Sequence, residues 1–174
     1  MPNWTREETL LALNLYFATP FGKQHSRHGP IVELANAIGR SPGAVAMKLN
    51  NFTSLDPVER ERGIVGLENA SRLDQQIWNE FRNHQEELAI EIEEVLEGRA
   101  PKPNLASTQR PARETESTAV RRVRLQQNFF RRIVTQTYET TCCVTGNPVP
   151  ELLRASHIVP WSESREHRLN PRNG

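Results

Sequence analysis

Apolar residues recur at helical spacing through the first 55 positions, in three blocks parted by short polar breaks. The first block follows the capping box Thr5-Arg6-Glu7-Glu8 and puts Leu10, Leu13 and Phe17 on one face, with Leu11 widening the stripe. A polar loop over 21–29 leads to Pro30, suited to a first helical turn, and to Ile31, Leu34, Ala35 and Ile38. Gly39 supplies the stop. Ser41 caps the third helix, Pro42 takes its first position, and Val45, Leu49 and Phe52 point inward. Two helices joined by a tight glycine turn have the shape of a helix-turn-helix, whose outer face would offer Arg40, Ser41, Lys48, Asn50 and Asn51 to phosphates and base edges. A three-helix bundle whose turn serves only packing fits the same pattern.

After a loop holding Gly63 and Gly66, Ser71 opens one long helix through about Leu96, ended by Gly98. Its stripe of Leu73, Ile77, Phe81, Leu88, Ile92 and Val95 is interrupted by a polar run at 83–87. Residues 99–118 contain three prolines and no apolar period, the composition of a linker. A further helix over about 119–138 directs Val120, Val123, Phe130, Ile133 and Val134 inward and carries Arg121, Arg122, Arg124, Arg131 and Arg132 largely outward. The predicted organisation is a helical domain at 1–98, a linker at 99–118 and a second unit at 119–174.

Charge changes this picture more than composition does. The net +1 conceals −8 over 56–98 (four basic residues against twelve acidic) beside +7 over 99–138 (nine against two). The acidic stretch argues against DNA contact there, and the five arginines suit a phosphate-contacting surface, or else a helix paired with the acidic one. No apolar run reaches the roughly 18–20 residues of a membrane span, and the opening residues do not form a signal peptide, so the expected location is cytoplasmic. Cys142 and Cys143 are adjacent, a spacing that favours neither a mutual disulfide nor a zinc pair, and Thr145 stands where a Cys-x-x-Cys partner would be. His25 and His28 have a ligand-like spacing but no Cys, Asp or Glu company, and His84 belongs to a solvated helix face.

The end of the chain carries the chemistry. Residues 142–150 read as a short strand entering a Gly146-Asn147-Pro148 turn, and 151–159 as a returning strand with His157 near its end. A lone histidine at a strand end is more often structural. Its company here is Cys142-x-x-Thr145-Gly146 before the hairpin, Ala155-Ser156-His157-Ile158 with Pro160-Trp161 after it, then the run from Arg168 to Gly174. Together these residues resemble the beginning of an HNH nuclease domain, of the kind found in restriction-like and phage-defence endonucleases, over about residues 119–174.

The resemblance implies a ββα-metal fold, so the expected class is mainly α with an incomplete α+β fragment at the end. It makes His157 the general base and Asn173 the middle letter of the motif, orienting the loop by hydrogen bonds. It also implies a divalent ion, Mg²⁺ or Mn²⁺, in the complete enzyme, and DNA as partner. Many relatives place an acidic metal ligand before the base, where this chain has Ser156. The strand and helix bearing the last His would follow Gly174, so the expectation is a site cut through its middle, with no metal held by this fragment and no cleavage by it. A non-catalytic DNA-binding or regulatory protein is the alternative, and a protein-interaction module is a third reading. Oligomeric state and target sequence are not written in these residues.

Overall fold

The computed structural model describes residues 3–99, 118–164 and 167–174, so almost all of the expected linker at 99–118 lies outside the described residues. Seven α-helices carry the described fold: α1 (Arg6–Ala18), α2 (Gly29–Ile38), α3 (Pro42–Leu55), α4 (Pro57–Glu61), α5 (Arg72–Asn83), α6 (Gln85–Arg99) and α7 (Thr118–Thr137). The local signals work where they were read. Thr5 Oγ1 accepts the Glu8 N–H at 3.2 Å and the Glu8 carboxylate accepts the Thr5 N–H at 2.8 Å. Gly39 closes α2 in the left-handed region (φ 70°), and the Ser41 hydroxyl accepts the Ala44 N–H at the start of α3.

Helix α4 replaces the start of the expected loop. Asp56 caps it by accepting the Val58 N–H at 2.9 Å, with Pro57 in the first helical position. The following turn needs glycine at 66: at φ 67° a Cβ there would sit 2.6 Å from the Ser54 nitrogen and 2.7 Å from the Asn50 carbonyl oxygen.

The single helix expected from Ser71 to Leu96 is two. His84 leaves helical geometry (φ −139°) between α5 and α6, and its N–H closes α5 on the Glu80 carbonyl at 2.7 Å. The run 83–87 has no apolar side chain to hold it against the core, so the chain breaks there. Ile77 and Phe81 on one helix and Leu88 and Ile92 on the other then all become buried, with both helices against α1.

Helix α7 packs along α6 and α1, and Phe129, Phe130 and Ile133 enter the same apolar cluster as Leu10, Leu49 and Ile77. Val120 and Val123, expected inward, are exposed. The buried stripe starts at Leu125; carried one turn back, its centre falls on Arg122, whose guanidinium forbids burial without a partner.

Among the described residues no strand forms. Where the hairpin was expected, Gly146 N–H bonds to the Cys142 carbonyl and Cys142 N–H to that of Asn147, both at 2.9 Å, a tight turn followed by a 3₁₀ turn at Pro150–Leu152. Pro148 and Pro150 lack the N–H groups a ladder would use. No helix among the described residues is long and apolar enough to cross a membrane.

Candidate functional site

His157 lies in an extended stretch that α7 backs. Its ring stacks on Phe130, centroids 3.8 Å apart and planes 10° from parallel, and meets Trp161 edge-on at 5.4 Å. Nε2 is 2.8 Å from the Arg168 carbonyl oxygen. A carbonyl only accepts, so Nε2 carries the proton and the lone pair of the neutral ring sits on Nδ1.

Asn173, in the 3₁₀ turn Pro171–Asn173, is buried and saturates its amide on the same stretch. Its Oδ1 accepts the Val159 N–H at 2.7 Å, and its Nδ2 donates to the carbonyls of Val159 (3.0 Å) and His167 (2.9 Å). Its own carbonyl accepts the Ile158 N–H at 2.8 Å. These contacts do for residues 157–159 what a strand partner would do, and they fix the loop whose Arg168 carbonyl orients His157.

Two arginines then fasten this loop to the helices, and sequence reading gave neither a role. Arg168 donates to the Trp161 carbonyl (2.7 Å) and to Glu86 (3.1 Å); Arg172 reaches Asp56 (3.2 Å) and Glu59 (2.9 Å). The Tyr16 hydroxyl donates to Asp56 at 2.7 Å, and burial together with that carboxylate pushes the phenol far above its ordinary range. Buried Leu169 anchors the loop between the two arginines. The only signal in the sequence was the spacing of Arg168 and Arg172 around the motif Asn; their acidic partners lie more than 80 positions away.

The residues expected to face DNA on α3 are engaged inside the protein. Lys48 is 4% exposed, donates to Asp74 at 2.5 Å and lies over the Trp4 ring. Arg40 donates to Glu8 and to the Asn3 carbonyl, each at 2.8 Å, and stacks on the same ring. Asn50 donates to the carbonyls of Gln24 and Ala46, Asn51 donates to Asp74, and Ser41 is the cap. Lys48, Arg40, Asn50 and Asn51 thus have partners within the protein, while Ser41 and, on α3, Met47 are exposed.

The α7 arginines divide three ways. Arg132 turns inward to Asn14 and Glu93; Arg121 lies 3.6 Å from Glu94 and Glu97, and Arg122 3.9 Å from Glu87. Pairing with the acidic helix therefore engages three of the five α7 arginines. Exposed Arg131 instead donates to the Leu153 carbonyl at 3.0 Å, beside the His157 stretch, and Arg124 is exposed.

No three His, Cys, Asp or Glu side chains among the described residues could hold a metal ion. Among the described residues beside His157, the Ser156 hydroxyl is exposed and the Asn173 amide is already engaged, a pair that does not fit a divalent ion. Cys142 and Cys143 are free thiols. The Cys142 thiol is held below its ordinary range, chiefly by the Thr145 hydroxyl and then by the N–H groups of Thr145 and Val144. Limiting iodoacetamide near neutral pH should therefore label Cys142 several-fold faster than Cys143, and Thr145→Val should narrow the difference; peptide mass mapping reads both. Equal rates in the parent protein would show that the turn does not favour the thiolate.

Residues 142–174 match the family model described as HNH endonuclease. The matched stretch contains the Cys142–Gly146 turn, His157 and Asn173, and it points to nuclease-type function with DNA as substrate or partner. Neither the curated proteins nor the solved structures include a match to the chain.

Proposed function

We propose that this chain belongs to a cytoplasmic, metal-dependent DNA endonuclease of restriction or phage-defence type. In this reading residues 1–98 are a helical domain built on a helix-turn-helix-like pair, and 119–174 open the nuclease domain. The observation that carries it is the ring of His157: Nε2–H is committed to the Arg168 carbonyl, and among the described residues no hydrogen bond occupies Nδ1. A neutral imidazole held this way takes a proton from an attacking water through Nδ1, and the buried Asn173 keeps the loop that orients it. Exposed Arg131 and Arg124 are the phosphate contacts, with Arg121 reaching phosphate by leaving the carboxylates of α6. A divalent ion, Mg²⁺ or Mn²⁺, would supply charge stabilisation in such an enzyme, on ligands other than the described residues.

The second reading is a non-catalytic DNA-binding or regulatory protein, in which the His157 ring only seats its loop on Phe130 and Trp161. Plasmid nicking in Mg²⁺ or Mn²⁺ separates the two. These 174 residues should leave supercoiled plasmid intact, whereas a protein carrying the complete HNH motif should nick it. DNA binding without nicking by either protein would establish the regulatory reading.

A further inference from the structure

Helix α7 has one face that the rest of the fold leaves open. At about 100° per residue, Leu125, Phe129, Phe130 and Ile133 take the buried side, and Arg124, Gln127, Asn128 and Arg131 share an arc of roughly 100° on the exposed side. The Gln127 and Asn128 side-chain amides have no hydrogen-bond partner among the described residues. Arg131 donates to the Leu153 carbonyl at 3.0 Å, which places Arg154, exposed and in no ion pair among the described residues, beside the same face. Guanidiniums from two elements thus frame two free amides.

The neighbouring acidic helix would repel a polyanion, but its carboxylates beside α7 are met. Arg132 pairs with Glu93, Arg121 lies by Glu94 and Glu97, and Arg122 lies by Glu87, so the arc from 124 to 131 keeps its positive charge. Between those positions the arc holds no apolar side chain, and a protein partner would find nothing to bury there. Arg124 and Arg131 stand about 10 Å apart along the helix axis, with the amides between them. A guanidinium grips phosphate, while an Asn or Gln amide sets a donor beside an acceptor, the match for the N6 and N7 edge of adenine in the major groove. The deep groove of A-form RNA is closed to a helix, so the fitting partner is duplex DNA.

We propose that α7 lies in the major groove of duplex DNA, with Gln127 and Asn128 on base edges and Arg124, Arg131 and Arg154 on the flanking phosphates. This rests on the DNA partner of the proposed function and adds which side chains set the sequence preference. The His157 ring stacks on Phe130 of the same helix, so the register of α7 on the bases also sets where His157 meets the backbone.

Binding is read in EDTA, where cleavage does not enter. Selection by these 174 residues from a pool of random-sequence duplexes should enrich sites with adenine at fixed positions. Asn128→Ala and Gln127→Ala should each lower the preference at one base pair roughly tenfold and leave affinity for unselected duplex nearly unchanged. Arg154→Ala should weaken binding to every sequence alike and flatten its dependence on log salt by about one unit. Gln136→Ala, exposed on the same helix but off the arc, should change neither. Circular dichroism checks that all four variants fold. Parent-like preference in both amide variants overturns the proposal, as does equal binding to duplex and single strand, or no binding to any duplex. None of these bears on plasmid nicking, which tests the nuclease reading separately. An amide-dependent preference without nicking by a protein carrying the complete motif would remove the nuclease reading and keep this surface.

Discussion

Asp74→Ala is expected to destabilise the protein by about 3–5 kcal/mol, enough to leave a domain of ordinary stability barely folded. Asp74 is fully buried at the first turn of α5. It accepts the Lys48 ammonium at 2.5 Å, the Asn51 amide at 3.2 Å and the Ser71 N–H at 3.0 Å. Removing it strands a lysine that is itself 4% exposed and takes away half of a capping box. Lys48→Met should cost less, because Asn51 and Ser71 still satisfy the remaining carboxylate and methionine fills the space over Trp4. The double variant Lys48→Met/Asp74→Leu should recover most of the loss, since an apolar pair of similar volume pays no desolvation. Urea unfolding of the four proteins reads each loss and the recovery. Single-variant losses below about 1 kcal/mol would mean the pair is solvated, and would restore the α3 face as a candidate for DNA contact.

That pair also marks where the sequence stopped being legible. The start of α1, the stop of α2 and the start of α3 were readable because each is decided within four residues: Thr5 with Glu8, Gly39 alone, Ser41 with Pro42. The direction of Lys48 and Arg40 was not, because polar side chains on a short helix look outward until a distant Asp74 or Trp4 is known to cover them. Val120 and Val123 failed for a related reason: the period was right, but Arg122 at the centre of the face limits how far along α7 burial can run. At the site, His157 and Asn173 were legible as residue types in a motif. Their holding contacts were not, since Phe130, Glu86, Asp56 and Glu59 come from parts of the chain with no pattern linking them to 157–174. The strands expected there carried their own warning in Pro148 and Pro150, which lack the N–H groups a ladder uses.

His157→Ala, placed in a protein with the complete HNH motif, should lower cleavage by about a hundred- to ten-thousand-fold and leave DNA affinity nearly unchanged, because a general base acts on the attacking water and adds little to ground-state phosphate contacts. The complication is structural: the His157 ring is also a packing element on Phe130 and Trp161, so an alanine there leaves a gap. His157→Phe separates the roles. It keeps an aromatic ring on Phe130 and removes both nitrogens, so it should fold like the parent by circular dichroism and still fail to cleave. Asn173→Ala should fall between, since Val159 loses two hydrogen bonds and His167 one but the base itself remains. Arg131→Ala should do the reverse of His157→Ala, weakening binding and flattening its dependence on log salt by about one unit. Cleavage and binding titrations at two salt concentrations read all four variants. Parent-like cleavage by His157→Phe would remove this histidine from the chemistry and leave it as the ring that seats the loop on α7.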